Sequence, residues 1–293
     1  MHEIVLKITF LLFILIHCLP AQLQFRQSIK PDTSLVNPQF TQIAVFKFGD
    51  LYLLEKNSNQ VWRIDRKGKI LDVNGGYGWG EGLFDYPTDL SLASGLNVLV
   101  ADFNNHRLQR FDRYLNFLTQ FPVDGRTVRI EYPLSVAASN LGEIFVLEWQ
   151  NNEVVRFDTD GGSTHFGGVD YGRYALIDPV QLRLSKKGNV TVLESNGRLL
   201  QFDRFGTPIG EIVPPDGLRA RGMVLMGKNV LLLNEVKPYL VIYAGALRKW
   251  LPITLPGSEV KAPFVSGALS DDLLLLLDRN GTIYFYGTED LDF

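Results

Sequence analysis

Six acidic residues recur in frame along this chain: Glu55, Asp102, Glu148, Glu194, Glu235 and Asp278. Each ends an apolar run and opens a polar turn. Two chemistries suit such a series. A carboxylate at a strand end accepts backbone N–H groups from the turn that follows it. Six carboxylates on one rim would instead attract cations or a basic partner. A single metal shared by all six is excluded, because face-packed sheets lie about 10 Å apart while calcium holds its oxygens within about 2.6 Å. The first four each have an arginine nearby in sequence: Arg63, Arg107 or Arg110, Arg156 and Arg198.

A second in-frame series is Gln42, Asp89, Ser135, Gln181, Arg221 and Val265. Its members stand two residues beyond a proline or the equivalent position. Asp89 is its only carboxylate. Asp89 and Arg221 lie three repeats apart, so a closed ring of six would set them across its axis. There they would grip a polar or zwitterionic ligand, or contact channel water. Aromatic residues form a third group. Tyr77, Trp79, Tyr86 and Trp149 fall in loops or just past strand ends. Such rings anchor interfaces or stack on sugars; the alternative is that they fill gaps between repeats.

Other reactive groups are scarce. Beyond the first twenty residues only His106 and His165 remain, whereas a zinc site needs three or four His, Cys or carboxylate ligands. No Gly-x-Ser-x-Gly elbow supports a hydrolase triad. Cys18 is the only cysteine, so disulfides and thiolate sites have no basis in the mature chain. The Gly75–Gly82 run leads into a strand, not the helix a phosphate loop requires, and reads as a linker. Asn189-Val190-Thr191 and Asn280-Gly281-Thr282 match the N-glycosylation pattern and matter only in a eukaryotic source. No catalytic residue, resident metal or cofactor is expected; a divalent cation at the channel mouth belongs to the alternative reading alone.

The elements that carry these residues repeat. Apolar run, acid, turn and aromatic strand recur with spacings of 41 to 47 residues. A period in the forties with several short strands per unit denotes a β-propeller. The second strand of each unit is continuously apolar, as burial on both faces demands. The fold class is therefore all-β: a six-bladed β-propeller of four-stranded antiparallel blades. Blades are expected at 40–76, 87–121, 133–167, 179–213, 220–254 and 263–287. The last lacks an outer strand of its own. Residues 23–30 alternate apolar and polar and are predicted to close the ring against Ile283–Tyr286.

The 293 residues form one domain after a leader. Lys7, an apolar run from Ile8 to Ile16, and Pro20-Ala21 predict a signal peptide over 1–21. The run is too short to span a membrane. Cys18 raises a lipid anchor, but His17 before it is a poor match to the small residue such anchors use. The expected location is exported, periplasmic or extracellular. Net charge is −3 with no basic patch, which argues against nucleic acid.

Gly82-Leu83-Phe84-Asp85-Tyr86-Pro87, then Val100-Ala101-Asp102, then Asn105-His106-Arg107-Leu108-Gln109-Arg110-Phe111 closely resembles the NHL repeat. Blade three keeps Pro133, Glu148, Asn151, Arg156 and Phe157. Blade four keeps Pro179, Glu194, Arg198 and Phe202. Blades one, five and six have drifted. The resemblance implies a scaffold that binds protein, peptide or glycan, and a monomer is expected. The alternative it allows is a metal-dependent hydrolase or lyase working at the channel mouth.

Overall fold

The computed structural model describes residues 23–35, 37–46, 49–93, 97–122, 129–237, 239–255, 260, 262–289 and 291. The expected leader, with Cys18, lies outside the described residues. Six four-stranded antiparallel sheets follow one another along the chain. The innermost strands are Phe40–Val45, Pro87–Ala93, Pro133–Ala138, Pro179–Leu184, Ala220–Met226 and Phe264–Ser270. A short 3₁₀ segment, Val169–Tyr174, interrupts the link between blades three and four. No helix among the described residues is long and apolar enough to cross a membrane.

Burial explains the patterning. Every residue of Leu51–Glu55, Ile144–Glu148 and Val190–Glu194 is buried. Alternate residues on these second strands face opposite neighbours. Leu51 and Leu53 pack with Leu275, Leu277 and Phe285 of blade six, while Tyr52 and Leu54 pack with Leu90, Val98 and Phe111 of blade two. Outer strands have solvent on one side, so Pro208–Ile212 alternates half-buried and exposed residues.

The sixth blade takes its outer strand from the other end of the chain. Gln24–Ile29 pairs antiparallel with Ile283–Gly287, Gln24 opposite Gly287 and Ile29 opposite Ile283. Leu23 is fully buried, and Phe25 meets Tyr286 edge-on at 5.8 Å.

Each innermost strand opens with a bulge. The register shifts between its first and third residues in all six blades: Phe40/Gln42, Pro87/Asp89, Pro133/Ser135, Pro179/Gln181, Ala220/Gly222 and Phe264/Ser266. The bulged second residue turns away from the ladder and the third points into the ring.

Ionic seams tie blades together at the end opposite the rim. Glu143 is buried and accepts from Arg156 at 2.9 Å, Arg204 of the next blade at 2.6 Å and the Ser139 hydroxyl at 2.8 Å. Burial pushes its carboxyl up, but Ser139, Arg204 and Arg156 outweigh that and hold it below the usual range. Burial pushes Asp102, Glu148 and Glu194 the other way, above the usual range. The signs oppose. A depressed folded value lends stability above the unfolded value, lost as pH falls through the folded one; a raised value lends stability on acidification. The melting temperature is therefore expected to hold from neutrality down to about pH 5 and to fall below about pH 4. Glu143→Gln should cost about 2 kcal/mol at neutral pH and flatten the acid limb. Melting curves of both proteins from pH 7 to 3 check this; an unchanged acid limb in the variant would refute the assignment.

Candidate functional site

The third residues of the innermost strands form a polar arc around the axis, interrupted at Gly222 of blade five. At four seams the third residue of one innermost strand accepts from the backbone N–H of the fourth residue of the next. Asp89 accepts from Val136 at 3.1 Å, Ser135 from Leu182 at 3.1 Å, Gln181 from Met223 at 2.7 Å and Ser266 from Ile43 at 3.2 Å. Gln42 accepts from the Ser266 hydroxyl at 2.9 Å and reaches Thr88 O at 3.5 Å. The members from blades five and six are thus Gly222 and Ser266, not Arg221 and Val265. Blade five has no proline to count from, and Pro263 precedes the first paired residue of its strand instead of occupying it.

Arg221 occupies the bulged position and points outward. Its exposed guanidinium pairs with Glu235 at 2.7 Å, so it does not face Asp89 across the axis. The cation that meets Asp89 is Arg183, at 2.9 Å. Asp89 also accepts from the Ser135 hydroxyl and from Leu90 N–H at 3.0 Å. A cavity of about 220 Å³ opens at the far end of the innermost strands, and Arg183 is the one charged residue among those lining it.

The acidic series is built into the turns. Glu55, Asp102, Glu148, Glu194 and Asp278 are each at most 2% exposed. Glu55 accepts from Gln39 N–H and Ser58 N–H, both at 2.6 Å. Glu148 accepts from Glu131 N–H, and Glu194 from Ile177 N–H at 2.8 Å. Asp278 accepts from Asn280 N–H at 2.9 Å and Thr282 N–H at 2.8 Å. These bonds hold the linker into each blade or the turn out of its second strand. In blade five the position opposite Ala220 is Asn234; Glu235 lies one residue further on. Arg107 and Arg198 serve Asp102 and Glu194. Arg63 and Arg156 instead serve acids at the other end of their strands, Asp50 and Glu143. Among the described residues, no three His, Cys, Asp or Glu gather as a metal would need.

Exposed aromatics collect on the rim face of blades two and three. Phe103 lies 5.0 Å from Tyr132 and 6.2 Å from Trp149, and Tyr132 lies 6.0 Å from Trp149. Tyr86 joins through Phe103 at 5.8 Å, and the Lys56 ammonium sits 4.4 Å above the Tyr86 ring. His106, in a left-handed turn position with φ 55°, packs on Tyr132 at 4.4 Å and lies against Glu131 O. Trp149 is 55% exposed and Tyr86 42%. Tyr77 and Trp79 form a separate edge-on pair at 6.0 Å on the linker into blade two. The Asn105 amide anchors that linker by donating to Gly78 O at 2.9 Å.

Sequence reasoning passed over Phe103, Tyr132 and Arg183. A signal existed for the first two. Phe103 and Trp149 both follow the in-frame acid, and Tyr86 and Tyr132 both precede the in-frame proline. The tetrad is thus two aromatic positions used in consecutive repeats.

The NHL repeat model matches residues 84–111, the stretch holding Asp102 and its partners. The chain is a six-bladed β-propeller that carries an NHL repeat in its second blade. It is similar to the protein brain tumor of Drosophila melanogaster, 31% identical over 135 residues, 45% of this chain and 13% of that protein. The match thus spans a small part of that relative's length. Among solved structures it is similar to a streptogramin B lyase, with TM-score 0.61, 10% identity and coverage of 88% and 97% of the two chains. Virginiamycin B lyase from Staphylococcus aureus gives 0.63, 12%, 90% and 99%. A catalytically inactive form of that lyase with quinupristin gives 0.60, 14%, 90% and 89%. At these identities the likeness is one of fold. In this propeller the repeat's signature residues are structural. Asp102 accepts from Asp85 N–H at 2.8 Å and from Asn105 and Arg107 at 2.9 Å. Arg107 in turn donates to Gly80 O at 2.9 Å and Leu83 O at 3.0 Å, pinning the linker that carries Trp79.

Proposed function

We propose that this propeller is an exported, non-catalytic binding module that holds a protein or peptide on the rim face of blades two and three. The aromatic tetrad carries this reading. Four rings packed at tilted or edge-to-face angles cross the seam between the two blades, and Trp149 and Tyr86 are half exposed to solvent. Rigid aromatic anchors lose little conformational entropy on binding and dominate interface energetics. The turns beneath them are fixed by buried carboxylates, so the surface is preorganised. The leader expected over 1–21 supports export, and the ring closed on itself supports a monomer.

The hydrolase or lyase reading needs Asp89 as a metal ligand. Both Asp89 oxygens are engaged by Arg183, Ser135 and backbone N–H groups. That arrangement favours the binding reading.

The test is a paired substitution. Trp149→Ala with Tyr132→Ala should weaken a partner isolated on the wild-type protein by about thirtyfold or more, the loss of one or two anchors at 2 kcal/mol or above. Leu141→Ala, at an exposed site in a turn at the opposite end of blade three, should leave binding unchanged. Calorimetric titration of the purified partner decides. Equal affinity for wild type and the double variant would sink the proposed face. Retention of a glycan in place of a protein would overturn the partner class but not the face.

A further inference from the structure

The ionic seams repeat, and one of them is missing its parts. Arg63, Arg110 and Arg156 occupy one register position in blades one, two and three, opposite Tyr52, Leu99 and Phe145. Arg63 pairs with Asp50 at 2.9 Å and Arg156 with Glu143 at 2.9 Å. Each acid sits immediately before the second strand's apolar run. The following blade then supplies an aromatic ring from the turn after its third strand. Tyr114 of blade two lies 5.0 Å from the Arg63 guanidinium of blade one, and Phe205 of blade four lies 5.2 Å from that of Arg156 in blade three. In both turns an arginine, Arg113 or Arg204, stands beside the ring.

The seam between blades two and three departs at each point. The acid is replaced by Asn97, and the arginine–aromatic pair by Thr159 and Asp160. Arg110 makes no hydrogen bond or ion pair to any described residue; its guanidinium lies over the Phe121 ring, 4.8 Å away. Its Nε is buried without an acceptor. The turn has the same length as its counterparts but smaller side chains, and beside it lies a cavity of about 240 Å³ walled by Arg110, Phe121, Ile144, Phe157, Asp158 and Thr159. Asp158, the other charge there, is already held by Arg156. Burial lowers the Arg110 guanidinium below its ordinary value, the direction expected of a cation without a counter-charge.

We propose that this seam pocket binds a small carboxylic acid with an apolar ring, its carboxylate on Arg110 and its ring between Phe121, Ile144 and Phe157. Such a ligand supplies the two groups that neighbouring seams provide from the chain itself, an acid and an aromatic. A guanidinium matches a carboxylate through two parallel N–H···O bonds. The volume suits the class, since a cavity of about 150 Å³ already holds a benzene ring. The pocket lies at the end of the blades opposite the aromatic tetrad and is independent of it.

Sodium benzoate is the probe. It should raise the melting temperature of the purified protein in a concentration-dependent way at fixed ionic strength. Benzamide, the uncharged counterpart, should not. Arg110→Gln should weaken benzoate by about tenfold or more, the loss of one charge-assisted pair. Asn97→Asp restores the acid that blades one and three carry. It should raise the ligand-free melting temperature and weaken benzoate by a similar factor. Should Arg110→Gln fail to fold, Asn97→Asp decides alone. Equal shifts with benzoate and benzamide, or unchanged benzoate affinity in Asn97→Asp, would overturn the proposal.

Discussion

Deletion of residues 23–30 is expected to abolish cooperative folding of the ring. The segment contributes the outer strand of blade six, paired from Gln24–Gly287 to Ile29–Ile283. Removing it uncovers Ile283, Phe285 and Tyr286, now at most 1% exposed, and strips the buried Leu23 from the core around Leu274 and Leu276. Burial of one such side chain stabilises by about 1.5–3 kcal/mol. Several lost together reach a large part of the 5–15 kcal/mol that holds a typical domain folded. The uncovered strand is also an open edge of apolar residues, a template for pairing with another copy. The truncated chain should aggregate on size-exclusion chromatography and lose its sharp melting transition. A synthetic peptide of residues 23–30 added in trans should restore part of both. A truncated chain that stays monomeric and melts within a few degrees of wild type would show that the ring does not depend on this closure.

Asp89→Ala should cost about 3–5 kcal/mol, the typical penalty for removing one partner of a buried ion pair. Asp89 is 1% exposed and gathers donors from blades three and four. Its loss removes the counter-charge of Arg183 and the acceptor of Val136 N–H, leaving Leu182 O as acceptor for Arg183 and the Ser135 hydroxyl. At about 2–4 °C per kcal/mol for a chain approaching this size, the melting temperature should drop by roughly 10 °C. The double variant Asp89→Leu, Arg183→Leu should recover much of that loss, because an apolar pair of similar bulk often equals a buried ion pair in stability. A coupling energy near zero in this cycle would contradict the pairing. The same proteins test the alternative activity. If the carboxylate is structural, EDTA leaves the wild-type melting temperature unchanged. A chelation-dependent drop that Asp89→Ala eliminates would instead assign it to a cation.

The two series that first suggested chemistry turned out differently legible. The in-frame acids were readable because their task is local: Asp278 bonds N–H groups two and four residues ahead, within one turn. The misassigned members, Arg221, Val265 and Glu235, all lie in blades where the proline landmark is absent or displaced. A one-residue error there moves a side chain from the channel to the outside, since side chains alternate along a strand. Phe103 and Tyr132 were hidden for another reason. Each looks like an ordinary strand-flanking aromatic within its own repeat, and only the neighbouring blade brings the rings together.

The amino-acid sequence by itself determined the repeat, the six buried second strands, the polar turns and the strand that closes the ring. Those features follow from periodic hydrophobicity and turn chemistry within about forty residues, and so can be read one repeat at a time. Which side chains meet between repeats was decided only by the tertiary structure. Arg183 reaches Asp89 across 94 positions of chain, past Ser135, because strand twist and the opening bulges aim three innermost strands at one point on the axis. Arg110 likewise is one of three equivalent arginines in sequence, and only the packing of blade two on blade three leaves it facing an open pocket. A local pattern specifies which face of a strand is buried; the identity of the partner on that face depends on how closed sheets are rotated against one another, which no single repeat encodes.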